Sequence, residues 1–379
     1  MAYKILIIDL ENENTKVEYI EDEISNFYLG GLGLSYYYLS QNPKTNPFMV
    51  FTSAIISYPN PICKYIIMAK EESGNITYGT LGGNFSYYLK TNSYDALVLL
   101  GKAKEKKEIF IDANAFIRNC EKEKEPSFLN SKEKYGQDIS SIYISKSAIK
   151  GDELSRLRLD DYQGISRGLA NILLAKNVVS INVKKNNLRE IKTPQIYEEN
   201  SNRNCPGCLL GCLEKRKDKK ENIFSTSERN SISENQKLEE IKKILDTYGI
   251  DIFALSKTIE FAYENLNHIY KFKNLKAETL DMICKNIVED KREEIYKDLA
   301  KGRDFLAEKY GIKTTSKKTK NKNSNIDIID SAGLCLFAVN PKDLSNIRKT
   351  INKLSGKNYS EDDLENLINE IEKIKSSLK

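Results

Sequence analysis

The hydrophobic period of this chain changes once along its length, and that change limits the folds open to it. In the first half the apolar residues come in short runs: "KILIIDL" (4–10), "KYIIMA" (64–69), "DALVLLG" (95–101), "EIFID" (108–112), "SIYIS" (141–145) and "VVSINV" (178–183). Short runs rich in Ile and Val, punctuated by Gly, Asn and Pro, predict strands. Between them only "GLGLSYYYLSQ" (31–41) and "GISRGLANILLAKN" (164–177) stand out as helical. Strands and helices therefore do not alternate as a doubly wound sheet requires. Later the spacing turns helical, with Leu238, Ile241, Ile244 and Leu245 on one stripe. The same pattern continues through "DIFALSKTIEFAYENLNHIY", "AETLDMICKNIVEDKREEIYKDLAKGRDFLAEKYG" and the last thirty or so residues. The expectation is an α+β chain. A β-rich domain occupies residues 1–190 and a mainly helical region residues 200–379, interrupted by a polar linker at 314–325.

Charge and composition exclude several functions. The 59 basic and 54 acidic residues nearly cancel, leaving +5. Much of the excess sits in "EKRKDKKEN" (214–222) and "TTSKKTKNKNSN" (314–325). Neither run interleaves aromatic residues with its lysines, so both read as solvated loops rather than a nucleic-acid surface. No apolar run reaches the length of a membrane span, and "MAYKILIIDL" carries no cleavage-site pattern, so a cytoplasmic chain is expected. The single histidine, His268, excludes a multi-histidine zinc site. Its context, "FAYENLNHIYKF", reads as helical, with the ring on the surface or in packing.

Residues 204–212, "NCPGCLLGC", are unlike the rest of the chain. Seven cysteines, an odd number without a secretory signal, argue against a disulfide framework. Cys63, Cys120 and Cys284 are isolated and read as packing or surface thiols. Cys205, Cys208 and Cys212 differ, because a C-x2-C-x3-C run brings three thiolates to one soft metal centre. Zinc usually needs a second pair, which is lacking, whereas iron–sulfur ligation commonly uses a local trio and a remote fourth cysteine. Iron–sulfur is favoured over zinc or a structural role.

A hexad, D-x-x-G-[IL]-[DC], occurs twice, as "DTYGID" (246–251) and "DSAGLC" (330–335). Its glycine suits a helix end or a sharp turn. Its aspartates could accept paired hydrogen bonds from the N–H groups of a heterocycle. Two helix-capping turns are an equal alternative on composition alone. They leave unexplained why the second copy ends in Cys335, a candidate fourth ligand.

"CPGCLLGC", "DTYGID" and "DSAGLC", in this order, resemble the aldehyde:ferredoxin oxidoreductases, tungsten enzymes with a bis-pterin cofactor beside one [4Fe–4S] cluster. "YLGGLGLSYYYL", "TYGTLGGNFSYYLKTNSYDALVLLGKA", "GLANILLAKNVVSINV" and "INKLSGKNYSEDDLENLINEIEKI" extend the likeness over most of the chain. The resemblance implies that Cys205, Cys208, Cys212 and Cys335 ligate the cluster. It implies that Asp246, Ile250 and Asp251 bind one pterin, and Asp330 and Leu334 the other. Gly82 and Gly83 match a glycine pair that lets the cofactor approach the backbone. Glu221 matches a glutamate near the metal and is the candidate general acid/base, although its Lys-rich setting equally fits a surface residue.

The departures are specific. Relatives are longer, with an insert between the two hexads that supplies a histidine near the metal. Here the interval is short, and His268 stands in a different context. A phosphate-anchoring arginine appears as Lys64, which keeps the charge but loses the bidentate fork. The glycine-rich loop before "AKN" has become "SRGLANILL", leaving the part of Arg167 open. Two functions are expected from this. One is oxidation of a small aldehyde to a carboxylate at a pterin-bound tungsten or molybdenum, with electrons leaving through the cluster to ferredoxin. The other is a non-catalytic iron–sulfur electron-transfer or partner subunit that has lost the active-site segment. An anaerobic setting, and a homo-oligomer or a partner subunit, fit either.

Overall fold

A computed structural model describes residues 2–56, 64–71, 73–120, 127–145, 148, 157–160, 163–165, 167–186, 244, 248–270, 277–289, 293–313, 325–336 and 339–378. Its first half holds two six-stranded sheets. The first contains β1 (Tyr3–Asp9), β2 (Asn14–Ile20), β3 (Phe48–Thr52), β4 (Tyr65–Lys70), β5 (Ile76–Leu81) and β6 (Ala96–Leu100), in the order β2-β1-β6-β3-β4-β5. The second contains β7 (Lys107–Asp112), β8 (Asn114–Asn119), β9 (Ile139–Ile144), β10 (Leu157–Leu159), β11 (Gln163–Ile165) and β12 (Val178–Lys184). Read from its β8 edge, its order is β8-β7-β12-β9-β10-β11. Each strand of the first sheet thus has a counterpart six places on. The senses agree too: β1 runs parallel to β6 and β7 to β12, and every other pairing is antiparallel. One strand unit is used twice.

Helices α1 (Asp22–Phe27), α2 (Gly31–Gln41) and α3 (Phe85–Thr91) interrupt the first unit, and α4 (Phe128–Tyr135) and α5 (Arg167–Ala175) the second. The first sheet is covered on both faces. Ile5, Ile7, Met49, Phe51, Ile66 and Val98 point into a core shared with α2. Their alternates Leu6, Ile8, Phe48, Val50, Ile67 and Leu97 point into a core shared with the second sheet. Strands buried on both faces read as continuous apolar runs, which is why "KILIIDL" does not alternate.

The helical half divides between two cores. Helices α6 (Ile252–Asn265), α7 (Ala277–Val288), α8 (Glu294–Ala300) and α9 (Gly302–Lys309) enclose Leu255, Ile259, Ile283, Leu299 and Leu306. Helices α10 (Asn325–Ala332), α11 (Leu344–Ser355) and α12 (Glu361–Ser377) instead send Ile328, Ile347, Ile351, Leu367 and Ile371 into the core of the first sheet. His268 lies exposed in the turn after α6 rather than on a helix. Among the described residues no helix is long and apolar enough to cross a membrane.

The start of α12 is fixed by a capping box. The Ser360 hydroxyl accepts from the Asp363 N–H at 3.1 Å, and the Asp363 carboxylate accepts from the Ser360 N–H at 2.8 Å. Ser360→Ala is expected to cost about 1 kcal/mol in urea unfolding.

Candidate cofactor site

Helix α10 carries the second hexad. Ile328, Ile329 and Ala332 bury its inner face, and the helix stops at Gly333, whose φ is +67°. The Leu334 N–H donates back to the Ile329 carbonyl at 2.8 Å, and the Gly333 N–H to the Asp330 carbonyl at 3.3 Å. That pair of bonds is the Schellman ending, with glycine at its left-handed position and an aliphatic residue next to it. The first hexad shares part of this: Tyr248 is helical, Gly249 has φ +70°, and Ile250 is fully buried. The glycine and the aliphatic residue thus end a helix. The Asp330 carbonyl takes part in that ending, but its side chain does not.

Asp330 is 4% exposed, and its Oδ1 accepts from the Thr80 hydroxyl on β5 at 2.8 Å. Burial raises its pKa to about 6; the Thr80 bond and Lys375 act the other way, and Asp327 adds to the rise. Its place in the last turn of α10, at the negative end of the helix dipole, disfavours the charge further. Gly31, at the start of α2, makes this arrangement possible. A Cβ there would lie 2.3 Å from the Asp330 carbonyl oxygen, so only glycine allows the two helices to meet.

Both hexads dock on the duplicated sheets in the same way. A Cβ on Gly333 would lie 3.1 Å from Cβ of Ser53, the residue after β3, and 2.7 Å from the Lys64 carbonyl oxygen. The Lys64 N–H donates to the Gly333 carbonyl at 2.6 Å. A Cβ on Gly249 would lie 2.0 Å from Cβ of Ser145, the residue after β9, and β9 is the counterpart of β3. Each serine hydroxyl accepts from the N–H three residues on, Ile56 at 3.1 Å and Ala148 at 3.4 Å. One chain therefore packs two similar glycine turns, Gly249 and Gly333, each on a serine turn after an equivalent strand.

The remaining predicted residues divide clearly. Gly82 and Gly83 follow β5 directly. At Gly83, with φ +95°, a Cβ would meet, among the described residues, only the Leu159 side chain, at 3.4 Å. Ile250 and Leu334 are fully buried in the cores, leaving only their backbone to offer a ligand. Asp251 caps α6, its Oδ1 accepting from the Ala254 N–H at 2.7 Å. Cys335 is a buried thiol, 4% exposed, one residue beyond the Schellman turn. Cys63, Cys205, Cys208, Cys212, Glu221 and Asp246 lie outside the described residues. Among the described residues no three His, Cys, Asp or Glu side chains form a metal site. Burial pushes the Cys284 thiol up to about 12 and keeps it inert, and Cys120 packs half-buried on the second core.

Sequence reasoning missed Thr80, Ser53 and Ser145. The serines had a faint signal, since each follows an aligned strand in "FTSAII" and "YISKSA". Thr80 had none, because a lone threonine on an edge strand is unremarkable.

The raised Asp330 pKa gives a signed prediction. The protonated form contributes stability that is full below the unfolded value near 4 and is lost as pH rises through about 6. In protein stripped of metal and cofactor, Asp330→Asn is expected to be more stable than wild type above pH 7, by up to about 3 kcal/mol. The difference is expected to vanish below pH 4, as read by urea unfolding across the range.

Comparison with known proteins gives the family of the chain. The family model "Aldehyde ferredoxin oxidoreductase, N-terminal domain" matches residues 5–185, and the model for domains 2 and 3 of that enzyme matches residues 169–325. The tungsten-containing aldehyde ferredoxin oxidoreductase of Pyrococcus horikoshii is 29% identical over 130 residues, 31% of this chain and 21% of that protein. The Pyrococcus furiosus enzyme of the same name is 25% identical over 199 residues, 48% of this chain and 33% of that protein. A WOR-like subunit of aliphatic sulfonate oxidoreductase from Pyrococcus furiosus is 30% identical over 120 residues, 28% of this chain and 19% of that protein. The matched stretches thus span no more than a third of these relatives. In fold, the chain is similar to a solved structure titled as the active site complex BamBC of benzoyl coenzyme A reductase with 1,5 dienoyl-CoA. The TM-score is 0.72 at 12% identity, covering 100% of this chain and 89% of that one.

Proposed function

Because the chain belongs to the aldehyde ferredoxin oxidoreductase family, we propose that it is an oxidoreductase acting on a small aldehyde, with a tungsten or molybdenum bis-pterin and one [4Fe–4S] cluster. The observation that carries this reading is the pair of docked glycine turns, each taken as a half-site. Two similar glycine turns, each preceded in the sequence by an aspartate, suit two copies of one heterocyclic ligand. The described residues fit such a ligand at the second half-site. Asp330 offers an acceptor carboxylate, and Gly83 carries no side chain to block its backbone. Asp246, Ile250 and Asp251 are its counterparts at the first half-site, although Asp251 also caps α6. Cys205, Cys208, Cys212 and Cys335 supply four soft thiolate donors, the set that iron–sulfur clusters use. When bound, the metal and pterins supply the two-electron chemistry that turns an aldehyde into a carboxylate.

The protein's own work is to place and to shield. Cys335 directly follows the turn that Asp330 precedes, so any cluster on Cys335 stands within a few residues of the pterin acceptor. Electrons would leave one at a time by that route to ferredoxin. Glu221 is the proposed general acid/base. Anaerobically purified protein is expected to reduce a viologen dye when given short aldehydes. Metal-loaded protein that reduces none with any aldehyde would overturn the catalytic reading.

A second reading is a partner subunit that keeps the cluster for electron transfer without catalysis. The exposed place of His268 in the turn after α6 favours it. It predicts iron without tungsten or molybdenum.

A further inference from the structure

Helix α10 buries two carboxylates three residues apart, Asp327 and Asp330, at 7% and 4% exposure. That spacing sets both on one side of the helix. The cation that meets them comes from the far end of the chain. Lys375 of α12 is only 9% exposed, and its Nζ lies 2.5 Å from Asp327 Oδ2 and 2.9 Å from Oε1 of the half-exposed Glu372. The same ammonium stands 5.3 Å from the centre of the Tyr36 ring on α2. Tyr78 and Thr80 of β5 complete the surroundings. Burial, foremost, and the Asp327 charge hold the Tyr36 and Tyr78 phenols well above their usual range, so both are neutral donors or apolar walls at any working pH.

A helix held by packing alone would fill this position with an apolar side chain, since burying an ion pair costs several kcal/mol per ion before any return. Among the described residues the charges also fail to balance: two buried carboxylates face one ammonium, which Glu372 at the rim shares, so a negative charge is left over beside Thr80. An N–H edge of a ligand would complete the set.

We propose that Lys375 is a positioning residue of the second half-site: held against Asp327, its ammonium supplies the counter-charge that keeps Asp330 an ionised acceptor for the N–H edge of a bound heterocycle. This rests on the reading of Asp330 as a pterin acceptor. It adds the C-terminal helix to the working parts of the site, and it makes retention of the heterocycle depend on pH through Asp330.

The test follows Asp330 itself in the full chain, by carboxyl carbon NMR of protein labelled at aspartate, with Asp330→Asn to assign the signal. Lys375→Met is expected to move the Asp330 midpoint up by about one pH unit or more, a tenfold gain in proton affinity, and Lys375→Arg to restore it. A helix that merely packs would lower the melting temperature and leave the midpoint in place; that outcome overturns the proposal. If Lys375→Met does not fold, Asp327→Asn serves. It removes the like charge and frees Lys375 for Asp330, so the midpoint is expected to fall by about one unit, and an unmoved or higher midpoint overturns the proposal. The pterin content of the same preparations is read separately by fluorescence after oxidation. The pH below which pterin is lost is expected to rise with the Asp330 midpoint in Lys375→Met. A wild-type chain without pterin would overturn the proposed function and leave the counter-charge result standing.

Discussion

Replacing Cys335 by alanine is expected to strip the chain of its iron, from about four atoms to fewer than one, with loss of the visible absorption of a cluster. The thiol is nearly fully buried and is fixed by the Schellman turn one residue before it. Nothing else about its place calls for a thiol, because Leu334 already fills the aliphatic position of that turn. As a packing group a cysteine to alanine change removes one small atom, so the fold is expected to survive at a cost of about 1 kcal/mol. Iron content measured beside far-UV circular dichroism separates the two effects. Cys120→Ala serves as the control, since Cys120 packs on the second core away from both hexads and should leave iron unchanged. A Cys335→Ala protein that keeps all its iron would place the fourth ligand elsewhere.

The second large effect is structural. Gly249→Ala puts a methyl 2.0 Å from Cβ of Ser145, inside any tolerable contact, at a residue whose φ is +70°. The left-handed backbone alone costs about 1–2 kcal/mol for a residue with a Cβ. The clash adds to this, because Cβ of Ser145 is tied directly to its backbone and cannot turn away. A total near 4 kcal/mol is expected, among the largest losses for a single methyl. Adding Ser145→Gly removes the obstructing atom and should recover the clash, leaving about 1–2 kcal/mol of backbone strain beyond the cost of Ser145→Gly alone. Urea unfolding of the two single variants and the double variant reads both parts. If the double variant is no better than Gly249→Ala alone, the first hexad does not dock on that serine turn.

These two cases show what could be read before the fold was known. Most central strands were legible because burial on both faces makes them continuous apolar runs, as in "KYIIMA" and "DALVLLG", although the equally buried β3, "FMVFT", was passed over. The partners at the sheet margins were not. β2 reads "NTKVEYI" and is mostly exposed, and β10 and β11 are three residues each, too short for any period to show. The duplication was hidden for the same reason. It lies in strand order and sense, and the two units share too few side chains for a repeat to stand out. The hexad was legible as a motif, yet its parts could not be sorted by eye. Geometry divides it into a helix ending, which explains Gly333 and Leu334, and an aspartate side chain that the ending does not use. Lys375 gave no signal at all, since a lysine near the end of an acidic amphipathic helix is ordinary and becomes unusual only when buried against Asp327.

The most direct measurement is the metal content of anaerobically purified chain: iron, tungsten, molybdenum and zinc per polypeptide. The proposed enzyme predicts about four iron atoms and about one tungsten or molybdenum. Iron with neither heavy metal would leave only the partner-subunit reading. A colourless protein holding zinc in place of iron would contradict the account at its centre.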